Sequence, residues 1–161
     1  MKKLFRCVIG FLITAPIFFI THTLSILVGK QDAVRIIGPA VTIIAKAMQT
    51  FFPPTIKDAS EFDQFKRRLK GRQKIWGLLF DYDIEYIDTN MVRLPIRNCP
   101  FAEAIFKLKI PELGPYMCRG DWLVAEDNIE KWAFKRNCTI GTGGIVCDFT
   151  YCRAKEQNKK A

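Results

Sequence analysis

The sequence predicts an α+β domain that follows N-terminal apolar helices, with a mostly antiparallel sheet and the element order β-β-α-α-β-β. Three observations carry this prediction. The N-terminus holds an uncharged run of helix length, later segments alternate apolar and polar residues as strands do, and proline-led helical segments separate two strand pairs. The pattern divides the chain into a hydrophobic, membrane-associated helical segment at 1–54 and an α+β domain at 55–161.

Lys2, Lys3 and Arg6 precede Cys7–Val28, 22 residues without a formal charge. As a helix this run rises about 33 Å, matching a bilayer core of roughly 30 Å. Pro16 and the polar group Thr21, His22, Thr23 and Ser25 also suit a buried helix of a soluble domain. A cleaved signal is disfavoured because no clean small-x-small site follows. Length favours membrane association, as one span or as part of a hairpin. A second apolar segment, Val34–Pro54, is interrupted by Gly38, Pro39 and Lys46. Its Ile43, Ile44, Ala47, Met48 and Phe51 fall at helical spacing, as in an amphipathic or half-inserted helix. As a membrane hairpin, the two segments leave both basic flanks on one side. The positive-inside rule then places both flanks and the C-terminal domain in the cytoplasm, and a bacterial inner membrane is the expected location.

The net charge of +9 is unevenly spread: Lys66, Arg67, Arg68, Lys70, Arg72 and Lys74 crowd together, and Asp81, Asp83, Glu85 and Asp88 follow. No helix-turn-helix, zinc-finger or RNA-binding signature accompanies the charge, so no nucleic-acid partner is expected. A solvated face, or one drawn to anionic lipid, is the better reading.

Residues 59–74 read as a helix, with Ser60 as cap and Phe62, Phe65 and Leu69 as its apolar stripe. "DYDIEYID" alternates, placing Tyr82, Ile84 and Tyr86 on the inner face of a half-buried strand. "MVRLPIRNC" alternates again, so a hairpin sets the carboxylates of the first strand against Arg93 and Arg97 of the second. Pro95 lacks a ladder donor and predicts an edge strand or a bulge there. Pro100 and Pro111 open the two helical segments, the second broken near Gly114-Pro115. In "KWAFKRNCT", Trp132, Phe134 and Cys138 share a face. In "IVCDFTYCR", Ile145, Cys147, Phe149 and Tyr151 do, and "IGTGG" reads as a glycine turn between the two strands.

The six cysteines are irregularly spaced, without a C-x-x-C, and His22 is the only histidine. Free thiols in a reducing compartment are therefore expected, with no metal site and no cofactor. A Cys-His dyad is improbable, so a reactive thiol would need a carboxylate, an arginine or a helix N-terminus beside it. Arg119 and Asp121 flank Cys118, and Asp148 adjoins Cys147. Neighbours on a strand face opposite ways, however, so Cys147 is expected to face inward with Phe149 and Asp148 outward.

The stretch "RNCPFAEAIFKLKIPELGPYMCRGDWLVAEDNIEKWAFKRNCTIGTGGIVCDFTYCR" resembles the L-2-amino-thiazoline-4-carboxylic acid hydrolase-like family over about residues 80 to 153. The pattern is a strand ending in Cys, a Cys followed by Asp, and a Gly-rich turn before Cys-Asp-Phe. Its ending is also similar to the small-molecule-binding domain named after bacteriochlorophyll 4-vinyl reductase. The resemblance implies hydrolytic opening of a thiazoline ring. It implies Cys118, Cys147, Asp121 and Asp148 as catalytic candidates, and Cys99, Glu126, Arg119 and Gly144 as ligand-binding ones. The apolar N-terminus keeps a second function in view: a non-catalytic, membrane-tethered module that binds a small ligand or docks on a membrane protein complex. Membrane lipid is an expected partner under either reading.

Overall fold

The apolar N-terminal run folds as one long helix, α1 (Lys2–Val28), despite its interior Pro16. In the computed structural model, which describes residues 2–154, it turns back at Gly29 into α2 (Lys30–Gln49). Gly29 has φ 85°, a left-handed conformation that glycine adopts without a Cβ penalty. The inner stripe of α1 is small: Gly10, Thr14, Ile17 and Thr21 are its buried residues. Thr14 and Thr21 donate their hydroxyls to the carbonyls of Gly10 and Ile17, both at 2.7 Å, so burial leaves neither unsatisfied. A Cβ at Gly10 would lie 2.3 Å from the Pro100 carbonyl oxygen, so only glycine lets α1 sit this close to the start of α4 (Pro100–Lys107).

α2 packs on α5 (Gly114–Glu126), tied by Thr42 Oγ1 donating to the Tyr116 carbonyl at 2.9 Å and by a Lys46–Asp127 ion pair at 2.8 Å. The stripe of Ile43, Ala47 and Phe51 does not face the protein. Ile43 and Phe51 are 68% and 70% exposed, and the packed face is Val34, Gly38, Val41 and Ala45 instead. Backbones as close as these two admit small side chains between them and leave the large ones outside.

The sheet comprises β1 (Glu85–Asp88), β2 (Met91–Ile96), β3 (Trp132–Lys135) and β4 (Cys147–Arg153), in the order β1-β2-β4-β3 with every pairing antiparallel. The predicted α+β class and the β-β-α-α-β-β order are both present. One face buries Val92, Leu94 and Ile96 of β2 with Phe149 and Tyr151 of β4, beneath Phe62, Phe65 and Leu69 of α3 (Phe62–Trp76) and Val124 of α5. Ile9 and Ile13 of α1 pack against the same core.

Several local expectations are corrected. The cap before α3 is Asp58, which accepts from the Ser60 backbone N–H at 2.8 Å and starts a 3-10 turn at Ala59–Glu61; Ser60 is the donor. The first strand begins at Glu85, and all four of its residues are exposed, Tyr86 included, because β1 is an edge strand with no helix over it. Tyr82 is buried, but it belongs to an isolated bridge with Ile96. The cross-strand charges pair as expected, Glu85 with Arg93 and Asp83 with Arg97. β2 is an interior strand, and it accommodates Pro95 because the regular β1 ladder ends at Glu85↔Arg93, leaving only the Tyr82 bridge beyond. The connection from β3 to β4 is a loop over 136–146 rather than a tight turn, so Cys138 lies outside the strand and Ile145 is 91% exposed. Gly143 supplies the one positive φ in this loop, 92°.

The cap assignment predicts that Asp58→Ala lowers the midpoint of chemical denaturation. Ser60→Ala should cost clearly less, because its backbone N–H, the group that Asp58 caps, survives the substitution.

Candidate functional site

β2 and β4 pair Ile96 with Cys147, which places Cys147 at the end of the sheet where β2 runs out towards Cys99. Cys99 is the N-cap residue of α4. From the other side, α5 presents Cys118 and, nearly one turn later, Asp121. The 136–146 loop closes the gap with Thr139. Its Oγ1 lies 3.1 Å from Cys118 Sγ and 3.4 Å from Cys147 Sγ, bridging the two thiols. The Ile140 backbone N–H also donates to Cys147 Sγ at 3.3 Å. Cys99, Cys118, Asp121, Thr139 and Cys147 line one cavity of about 30 Å³, walled by Phe52, Phe101 and Phe149 and closed by Gln49 at the end of α2.

Two glycines make this approach possible. A Cβ on Gly114 would lie 1.8 Å from the Gly141 carbonyl oxygen, and one on Gly141 would lie 2.3 Å from Cys118 Sγ. The start of α5 and the loop therefore meet backbone to backbone, which brings the Cys118 turn within reach of Thr139.

The strongest electrostatic feature is a buried ion pair. Arg136, just after β3, donates to the Asp121 carboxylate, and the two side chains are only 7% and 8% exposed. Its other terminal nitrogen donates to the Cys118 carbonyl at 3.1 Å. The guanidinium carbon lies 5.7–5.9 Å from the ring centres of Trp122, Phe134 and Phe149, which supply cation–π contacts in place of lost hydration. Burial pushes the Asp121 carboxyl up to about 7, against the pull of the Arg136 charge. Burial likewise raises the Cys99, Cys118 and Cys147 thiols. Hydrogen bonds from the first amides of α4, from Thr139 and from Ile140 N–H, respectively, offset part of the effect. In the unliganded pocket the three are thiols rather than thiolates.

The remaining candidates lie elsewhere. Asp148 faces away from the cavity and accepts from the backbone N–H groups of Asn137 and Cys138, at 2.9 and 2.7 Å, holding the root of the loop. Gly144 serves the loop as well: its N–H donates to the Thr139 carbonyl, and a Cβ there would meet Cys138 Sγ at 2.4 Å. Arg119 and Glu126 are exposed on α5 and do not line the pocket. Sequence reasoning did not single out Thr139, Arg136 or Gln49. Arg136 alone left a signal, as a charge directly following an alternating strand. All six cysteines are unpaired, and among the described residues no group of three or more His, Cys, Asp or Glu is placed to hold a metal ion.

The family model described as L-2-amino-thiazoline-4-carboxylic acid hydrolase matches residues 11–151. The chain belongs to that family. No match was found among curated proteins or among solved structures. The family match extends well upstream of the resemblance at residues 80 to 153. It takes in all of α2 and most of α1, so the helical hairpin lies inside the hydrolase-family region.

The ion pair predicts a specific pattern of stability. Arg136→Met leaves a buried carboxylate uncompensated and should cost about 3–5 kcal/mol in chemical denaturation. Adding Asp121→Leu removes that charge, and the double variant should recover a measurable part of the loss.

Proposed function

We propose that the thiol pocket is the catalytic site of a membrane-associated hydrolase that opens a small cyclic C–N/C–S substrate of the thiazoline type. The observation that carries this reading is convergence. Cys99, Cys118, Asp121 and Cys147, dispersed over half a hundred residues of sequence, line one cavity in a member of this family. Family membership supports the reaction class, and the geometry supports the roles. Cys118 is the nucleophile. Asp121, on the same face of α5 and balanced near neutrality, is the base that accepts its proton. The sulfur then attacks the ring carbon between nitrogen and sulfur, and the C=N π pair moves to the ring nitrogen, which takes the proton back from Asp121. Collapse of this tetrahedral adduct breaks the remaining ring C–N bond as the exocyclic amino group passes a proton to the departing nitrogen. The opened substrate is left as a C=NH carbon bound to Cys118. Thr139, Cys147 and the Ile140 N–H supply hydrogen bonds that orient the reacting atoms. Water then adds to the C=NH carbon, and the resulting tetrahedral carbon expels the Cys118 sulfur, which recovers its proton, leaving a carbamoyl group on the substrate's own sulfur.

One observation favours the second reading, a non-catalytic small-ligand module. A cavity of about 30 Å³ holds a water molecule but no five-membered ring until its walls move. The membrane part of the proposal is supported by α1, the one helix among the described residues that is long and apolar enough to span a bilayer. The unpaired cysteines suit a cytoplasmic setting.

The deciding experiment is turnover of the thiazoline acid by purified protein, comparing wild type with Cys118→Ser and Cys147→Ser. Wild type should turn over, Cys118→Ser should lose at least about a hundredfold, and Cys147→Ser should lose less. An inactive wild type removes the hydrolase reading, whereas a fully active Cys118→Ser removes only the nucleophile assignment. The pH profile checks the base. Asp121 must be ionised to accept a proton, so kcat/KM should rise as pH increases through about 7.

A further inference from the structure

A membrane-spanning helix needs lipid around it for most of its length, and α1 does not have that freedom. Near its start, Arg6 donates to the carbonyls of Leu78 and Gly77 at 3.0 and 3.1 Å. Gly10 abuts Pro100, and Ile17 packs in a core with Val41, Ile105 and Leu113. Just beyond its end, Lys30 pairs with Glu112 at 2.6 Å. α1 is thus laid along the domain from end to end, in a trough between α2 and α4. Crossing a bilayer in this arrangement would carry Glu103 and Lys107 of α4 into the hydrocarbon.

The side of α1 turned away from the domain has the opposite character. Leu4, Leu12, Phe19, Ile26 and Leu27 are 65–76% exposed, Arg6 is turned to the Gly77 and Leu78 carbonyls, and no charged residue follows it along this ridge up to Val28. Beside it α2 exposes Ile36, Ile43 and Phe51. Contiguous apolar surface of this extent marks an interaction face. One end is basic: Lys2, Lys3 and Lys74 lie where Arg6 meets the C-terminus of α3, while at the other end Lys30 and Arg35 are offset by acids. Of the nearby acids, Asp32 and Glu112 are already paired, with Arg35 and Lys30.

We infer that α1 lies in the plane of the membrane, and that the outward face of the α1–α2 hairpin is seated on an anionic lipid leaflet without crossing it. An apolar ridge with a basic cluster at one end suits such a seat: apolar side chains reach the acyl boundary while Lys2, Lys3 and Lys74 meet the headgroups. The inference rests on the membrane-association part of the proposed function and is independent of the chemistry in the pocket.

The test uses the purified full-length chain with sealed vesicles, either of phosphatidylcholine alone or of phosphatidylcholine with an equal part of phosphatidylglycerol. Flotation should show binding at least tenfold stronger to the anionic vesicles. Leu12→Glu should reduce that binding at least tenfold with an unchanged thermal transition, because Leu12 points away from the domain. Lys3→Cys and Gln31→Cys, at the two ends of α1, should both react with a membrane-impermeant maleimide added outside the vesicles, with the labelled positions located by mass spectrometry. Labelling at only one end means that α1 spans, which overturns the in-plane seat while leaving membrane association intact. Failure to bind either vesicle overturns both. Equal binding to the two vesicle types, or a Leu12→Glu variant that binds as wild type, overturns the proposed seat. So does a stable dimer in solution that is dispersed by Leu12→Glu and ignores lipid, since the occupant is then a second copy of the chain.

Discussion

The Asp121–Arg136 pair is the interaction on which the pocket depends. Two charges this deeply buried each lose several kcal/mol of hydration, and only a matched partner and further polar contacts compensate. Arg136 finds the Asp121 carboxylate, the Cys118 carbonyl and three aromatic rings, so its position is determined from several directions at once. It begins the 136–146 loop, and the pair therefore fixes that loop to α5 at the turn carrying Cys118. Asp148 fixes the same loop to β4 through the Asn137 and Cys138 amides. Between these anchors an irregular segment holds Thr139 between two thiols, with its backbone largely satisfied by its own short turn.

The helical layer reverses the usual division of residue types. In a water-soluble domain the large aliphatic side chains of a peripheral helix face the core, whereas α1 turns glycine, threonine and isoleucine inward and exposes Leu4, Leu12, Phe19 and Leu27. Small residues at a close helix contact with apolar side chains outside are the pattern of helices packed in lipid. This layer is connected to the pocket. α2 exposes Ile43 at the surface, packs on α5 through Thr42 and Ala45, and ends at Gln49 and Phe52, which wall the cavity.

Much of the fold was legible because the sheet is buried on one side only. Alternation in Val92, Leu94 and Ile96, and in Cys147, Phe149 and Tyr151, reports that directly, as does the Phe62, Phe65, Leu69 stripe of α3. The pattern misled where a segment left the layered core. Tyr86 alternates correctly on a strand with nothing above it, and Ile145 continues the β4 pattern one step beyond the last paired residue. In α2, Ile36, Ile43 and Ile44 lie on the outer face, as an amphipathic or half-inserted helix would have them, while the protein-facing side is built from smaller residues. Cys99, Cys118, Asp121 and Cys147 were visible as a family pattern. Thr139 and Arg136 were not, because nothing local marks a threonine that will bridge two thiols or an arginine that will meet an aspartate fifteen positions earlier.

In the proposed reaction, with no histidine lining the pocket, Asp121 is the group available to move a proton. Burial favours the protonated acid, Arg136 favours the carboxylate, and the two come close to balance near neutral pH. Such a group responds to what enters beside it. A ring that arrives neutral leaves Asp121 free to take the Cys118 proton. A protonated amidine brings a second cation to a carboxylate already engaged by Arg136, strengthens the ionised form and weakens it as a base. Under the proposed reaction, this arrangement would favour the neutral form of a weakly basic ring. Cys99 and Cys147 reinforce that preference. Burial keeps them as neutral thiols, so they add soft, hydrogen-bonding walls to the cavity without adding negative charge that would attract a cation.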